Sequence, residues 1–379
     1  MNRRPVASSI ASSETHTTSQ RLLSLDALRG FDMFWIIGAE GLVEGLRKIS
    51  DRGPIKFVAN QLEHKAWEGL HFEDLIFPLF VFIVGVSIVF SLTKTLQESP
   101  RSAVLKRIFR RAGLLYLLGI IYNGGFATAF NDIRLLGVLQ RIALCYLFAT
   151  ILFCYLKPCG LVTVCVALLI GYWALMTFLP VPEVGSGNFA EGKNLANYLD
   201  RQYLPLRKYD GDHDPEGLLS TIPAIATCLI GVFAGLLLGN KNVSGQRKVA
   251  YLAGAGVAGV ALGWLWDLQF PVIKKIWTSS YVLVTGGYSA LLLALFYQVV
   301  DIWKYQKWVQ PFVWIGVNPI TIYMAVNLID FGQIAQRLVG GDINHYCGAY
   351  GHLVINVTGL MLELWFLHFL YRRKIFLRP

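Results

Sequence analysis

The chain has 379 residues, 55% of them hydrophobic, only 15% charged, and a net charge of +10. An ordinary soluble domain carries about 25% charged residues and about 45–50% apolar ones, so that class is excluded. No zinc-finger, RNP-type or helix-turn-helix pattern accompanies the positive charge, which excludes a nucleic-acid partner and leaves lysine and arginine as expected at cytoplasmic helix ends.

Residues 1–20 are polar and rich in Ser and Thr, and the pattern predicts a disordered tail. Residues 21–379 read as one transmembrane domain. Apolar runs predict spans near 22–46, 74–93, 112–124, 135–156, 160–180, 218–239, 249–267, 278–300, 311–329 and 353–371. The third run is the shortest, and its helix can extend back over the basic segment 106–111. The fold class is therefore all-α, a polytopic membrane helix bundle of about ten helices. Ten spans put both termini on one side. With that side cytosolic, inward segments hold 19 Lys and Arg residues against 13 in the longer outward loops, so the positive-inside rule predicts N-in and C-in. Loop 181–217 then faces outward and is expected to form a small lid. The six cysteines show no Cys-x-x-Cys pair. They read as small packing residues, and no metal ligand set is expected.

Ionisable groups inside spans cost from roughly 2.5 kcal/mol each and are functional hypotheses by default. The first span holds Asp26 and Arg29, three apart and able to pair on one helix face, then Asp32 and Glu40. Asp26–Arg29 reads first as an internal ion pair. Glu40 is either a solvated helix end or a catalytic group. Gln140 and Arg141 lie in the fourth span, with Arg141 either a structural counter-ion or a phosphate ligand. Asn318 precedes Pro319 in the ninth span, where a helix irregularity frees backbone groups. The segment 62–78 concentrates His64, Trp67, Glu68, His71 and Asp74 before an apolar run. Histidine suits proton transfer near neutral pH, although a histidine at an interface is more often a polar anchor. His64, Glu68 and His71 match no zincin spacing.

The sequence resembles the heparan-alpha-glucosaminide N-acetyltransferase family. The resemblance is carried, in order, by Arg21–Gly30, by His64…Trp67-x-Gly69-Leu70 running into Asp74–Pro78, and by Gly137–Arg141. Asp214–Gly217, Lys275–Tyr281 and Gly316–Pro319 complete it. It implies a transmembrane acetyltransferase that takes acetyl from cytosolic acetyl-CoA and gives it to an amino sugar or glycan amine on the outer side. His64 matches the family's catalytic histidine, as general base or acetyl relay, with Glu40 and Glu68 beside it. Both glutamates stand where the animal enzyme has asparagine, which puts the heparan substrate in question. CoA is a polyanion, so Arg107, Arg110 and Arg111 are expected to attract its phosphates. Arg29, Gln140, Arg141 and Asn318 are expected to line its path. Trp67, Asp214 and Glu216 are the expected acceptor-binding residues. Direct transfer is favoured over an acetyl-histidine intermediate. The competing readings are a membrane O-acyltransferase acting on a glycan hydroxyl and a secondary transporter of a small polar solute. The expected setting is a bacterial inner membrane, with the lipid bilayer as partner and a homodimer allowed.

Overall fold

The computed structural model describes residues 22–50, 52–127 and 129–376. The expected N-terminal tail and Arg21 lie outside them. The chain forms α1 (Leu23–Ile49), α2 (Gly53–Gln61), α3 (Glu73–Glu98), α4 (Arg101–Tyr122), α5 (Val138–Tyr155), α6 (Pro158–Phe178) and α7 (Leu195–Tyr203). It continues with α8 (Thr221–Gly239), α9 (Gly245–Asp267), α10 (Ser279–Phe296), α11 (Gln310–Gly316), α12 (Pro319–Leu328), α13 (Phe331–Val339), α14 (Asp342–Cys347) and α15 (Gly351–Arg372). A π-helical turn, Tyr297–Ile302, prolongs α10. Among the described residues no strand forms.

Every apolar run read from the sequence falls on a helix. Among the described residues seven helices are long and apolar enough to cross a membrane, or eight if the bent pair α11–α12 is one span. Helices α1 and α4 have the length, but their charged residues keep them outside that set. The third run does extend backwards: α4 begins at Arg101 and carries Lys106–Arg111 on its first turns. The expected irregularity at Asn318–Pro319 is a 79° bend between α11 and α12. Proline lacks the N–H a continuous helix needs there.

Glycines bring helix backbones into contact. A Cβ on Gly30 of α1 would collide with the Phe312 carbonyl of α11. A Cβ on Gly85 of α3 would strike the Cys228 carbonyl of α8, and one on Gly231 the Phe82 carbonyl. Small residues at helix crossings are the usual way for membrane helices to gain packing without a hydrophobic drive from water. The α3–α8 seam is central: Leu79, Val81, Phe82, Val86, Leu229 and Val232 are all buried.

Connections sort to two ends. At one end Arg101 lies over Tyr155, and the Lys248 ammonium donates to the Leu238 carbonyl. The Ser24 amide donates to Asp301 and the Asn318 amide to Ile375 O at that same end. At the other end, segments 62–74, 134–141, 181–220 and 268–278 converge.

Candidate functional site

Asp74 opens α3 at that second end and its side chain is wholly buried. Its Oδ2 accepts the backbone N–H of Lys65 (3.1 Å) and of His71 (2.9 Å). This holds the loop before α3 in a tight turn. Its Oδ1 faces His64 Nδ1 at 3.2 Å and Lys274 Nζ at 3.5 Å. Lys274 Nζ lies 2.8 Å from His64 Nδ1 and 3.2 Å from Nε2. Histidine, carboxylate and ammonium therefore meet within hydrogen-bond reach, with the imidazole itself 59% exposed. A carboxylate behind a histidine fixes the ring's tautomer and orientation, as in hydrolase triads. Burial pushes the Lys274 ammonium below the usual lysine range, opposed by Asp74, Glu216 and Glu73.

The loop carrying Lys274 is locked onto the His64 loop. Gly69 N–H donates to Val272 O at 2.8 Å, and Glu68 and Ile273 form an isolated antiparallel bridge. Trp277 follows in the left-handed region at φ 51° although it is bulky and buried. Backbone strain of about 1–3 kcal/mol persists only where surroundings enforce it. Here Trp277 Nε1 donates to Thr227 Oγ1 at 3.1 Å, and Phe77 and Tyr281 pack edge-on against the indole. Arg141 lies over its face at 4.9 Å.

A second ionic layer adjoins the first. Arg134 forks onto Asp214 (2.8 and 2.6 Å) and also reaches Glu216 at 2.5 Å. These bonds, together with the two negative charges, raise its already high pKa against the opposing effect of burial. Burial raises Glu216 above the carboxylate range, opposed by Arg141 and Arg134. Arg141 Nη2 donates to Ser220 Oγ at 2.5 Å, while its Nε and Nη1 are buried with no hydrogen-bond partner among the described residues. Asp200 of α7 accepts the N–H of Leu218 at 2.8 Å and of Asp214 at 3.4 Å.

The structure brings His64, Glu68, Trp67, Asp214, Glu216, Gln140 and Arg141 to this end. Trp67 Nε1 donates to Phe189 O at 3.0 Å, tying the His64 loop to segment 181–217. Glu68 and Glu40 are exposed, and among the described residues no hydrogen bond or ion pair joins either to His64. Asp214 and Glu216 are both ion-paired with Arg134. Gln140 is buried with both amide atoms unpartnered among the described residues. Arg29 and Asn318 lie elsewhere. Arg29 pairs with Asp26 at 3.0 Å, as its spacing suggested, and also donates to Ser87 Oγ and Gly316 O. Arg107 and Arg110 are exposed on the first turns of α4, and Arg111 stacks on Tyr146 at 4.9 Å. Sequence reasoning missed Asp74, Lys274, Arg134 and Ser220 as site residues. Asp74 stood inside a motif already singled out, and Lys274 directly before one.

Membrane-length helices define a multi-pass integral membrane protein with a buried, ion-paired polar end. The chain belongs to the heparan-alpha-glucosaminide N-acetyltransferase catalytic family, whose model matches residues 21–259. It is 30% identical to heparan-alpha-glucosaminide N-acetyltransferase of Homo sapiens, over 83% of this chain and 55% of that protein. It is 28% identical to the Mus musculus protein of the same name, over 83% of this chain and 56% of that one. The chain thus spans about half the length of the curated relatives it matches.

Proposed function

We propose that this protein is a transmembrane acetyltransferase that moves an acetyl group from acetyl-CoA to an amine on an amino sugar or similar glycan across the bilayer. The observation that carries the reading is the His64–Asp74–Lys274 constellation at one end of a bundle belonging to this family. The acceptor amine must be neutral to attack a thioester. His64 removes its proton as general base, Asp74 orients the ring, and the Lys274 ammonium stabilises charge developing on the carbonyl oxygen. The amine nitrogen bonds to the acetyl carbon, the C–S bond breaks, and CoA leaves as thiolate and takes up a proton. Direct transfer is preferred to an acetyl-histidine intermediate. Glu40 and Glu68, both exposed, are assigned to the acceptor's surroundings rather than to the proton transfer, and Trp67 to its sugar face.

The orientation proposed is N-in and C-in, with His64 outside and Arg107, Arg110 and Arg111 at the cytosolic mouth for the CoA phosphates. A small apolar pocket lined by Met33, Phe77, Phe80, Leu139, Ile142 and Tyr323 lies between the ends. Gln140, and Arg141 through its Nε and Nη1, which have no hydrogen-bond partner among the described residues, neighbour Leu139 and Ile142 on α5 as groups for a polar arm to satisfy, and segment 181–217 serves as the lid. A bacterial inner membrane suits this layout.

The test is acceptor-dependent release of CoA thiol by the purified protein in lipid nanodiscs, screened over glucosamine-terminated and hydroxyl-only acceptors. Amine-dependent release supports the proposal, and hydroxyl-dependent release would shift it to O-acylation. No release with any acceptor, together with no acetyl-CoA-dependent thermal stabilisation, would return the chain to the transporter reading.

A further inference from the structure

Segment 181–217 holds a second group of chemistry-bearing side chains that acetyl transfer does not use. His213 is 4% exposed. Its Nδ1 lies 2.6 Å from Asp212 Oδ1, so Nδ1–H donates to that carboxylate and the free lone pair falls on Nε2. Nε2 is buried with no hydrogen-bond partner among the described residues. It faces Asp210 Oδ2 at 3.6 Å and Glu191 Oε1 at 3.8 Å. One donor atom from each of Glu191, Asp210 and His213 lies within 4.8 Å of the others.

These spacings are slightly wider than those around a shared ion, which would draw the three donors together. With metal–ligand distances of about 2.0–2.2 Å and tetrahedral angles, donor atoms sit ~3.3–3.6 Å apart. Asp212 supplies the carboxylate that a metal-bound histidine almost always finds for its other nitrogen. A cation is already favoured here: Lys275 Nζ sits 2.7 Å from Glu191 Oε1 and 3.1 Å from Asp210 Oδ2. These carboxylates hold the Lys275 ammonium above the usual lysine range against burial. Its ammonium also lies 5.9 Å from the Trp67 ring centroid, a face to which it can retreat.

We propose that His213 Nε2, Glu191 and Asp210 form a divalent transition-metal site of Zn²⁺ type, with Asp212 orienting the histidine and Lys275 as the built-in cation that the metal displaces. The fourth position is left to water. The ion joins both arms of segment 181–217 and releases Lys275, beside Lys274, from its carboxylates. The inference stands on this loop's geometry alone and is independent of the acetyltransferase reading.

The test uses the full chain in detergent micelles with any affinity tag removed. Zn²⁺ is titrated against a chromophoric chelator, and Co²⁺ is added separately to record visible absorption. One equivalent of Zn²⁺ and a tetrahedral Co²⁺ spectrum are expected. Glu191 is half-exposed and tolerates change, so Glu191→Gln should weaken binding by at least ~10-fold. Asp212→Asn should weaken it ~10–100-fold. Lys275→Met should act in the opposite sense and tighten it, because the competing ammonium is gone. His213→Ala should abolish the site; its burial makes the two surface variants the safer readout. No stoichiometric binding by either the native chain or Lys275→Met would overturn the proposal. So would binding indifferent to both Glu191→Gln and Lys275→Met.

Discussion

Asp74→Asn is the sharpest perturbation of the proposed centre because it is nearly isosteric and only one arrangement of the amide fits. Two backbone N–H groups, from Lys65 and His71, point at Oδ2. The amide oxygen must take that place. The NH2 group then faces His64 Nδ1 and Lys274 Nζ, where the carboxylate had offered an acceptor. Nδ1 can no longer donate forward, so its proton moves to Nε2, and the nitrogen that would accept the amine proton is occupied. Loss of a positioned general base typically lowers the rate 10²–10⁴-fold, or about 2.7–5.4 kcal/mol of transition-state stabilisation. Initial CoA release at saturating acceptor and acetyl-CoA measures this, with acetyl-CoA affinity read separately. The expected result is a fall in kcat on that scale with affinity retained. His64→Ala should cost as much, and the double variant little more than either, because the two groups act as one unit. A turnover within threefold of native in Asp74→Asn would refute the assignment of Asp74 as the residue that positions His64.

Arg134→Met should destabilise the fold by about 3–5 kcal/mol, because it strands Asp214 and Glu216 in a site where both are nearly inaccessible. Arg134→Lys should recover only part, lacking the planar fork, and thermal unfolding in micelles ranks the three proteins. Burial pushes the Asp200 carboxyl up to about 6. A raised carboxyl binds its proton more tightly in the folded state, so its contribution is present below about pH 4 and lost as pH rises through 6. Asp200→Asn should remove about 3 kcal/mol of that slope between pH 4 and 6, and an unchanged profile would contradict it. Neutralising Arg107, Arg110, Arg111 and Arg141 together should weaken acetyl-CoA binding and flatten its salt dependence. In a cysteine-free background, a thiol reagent applied from outside should label a cysteine at position 190 and miss one at position 102.

The helices were legible because membrane spans need runs of about 20 apolar residues, and such runs survive any tertiary arrangement. The Asp26–Arg29 pair was legible for a related reason, since a spacing of three puts both on one helix face. The polar end was not. Lys274 lies 210 positions from His64, and nothing local in either segment announces the other. Arg134 read as one more positive charge in a connector, whereas it is the ion-pair partner of both Asp214 and Glu216. Those two carboxylates looked free for a substrate because sequence shows charges without their counter-ions. His213 stood in a polar loop among carboxylates and lysines, and only folding brings Glu191 and Asp210 within 4 Å of its Nε2.

Under the proposed function, the two halves of the chemistry sit at opposite ends of the bundle. His64 precedes α3 and Asp74 opens it, whereas Arg107–Arg111 lie six to ten residues into α4, which returns from the far end of α3. At 1.5 Å per residue, the 26 residues of α3 run ~39 Å, and the return of α4 by six to ten residues leaves these groups ~24–30 Å apart along the helix axis. No side chain covers that distance, so a donor bound by the arginines must reach inward itself. In the proposed function the middle of the bundle receives it. Phe77 and Phe80 line the apolar pocket one and two turns below Asp74, while Asp32 and Gln140 are buried with their side-chain polar atoms unpartnered among the described residues. Unsatisfied polar atoms cost several kcal/mol each in a bilayer-spanning bundle. Under the proposed function, these atoms along the interior, between a basic end and a histidine end, offer partners to a long donor with polar groups.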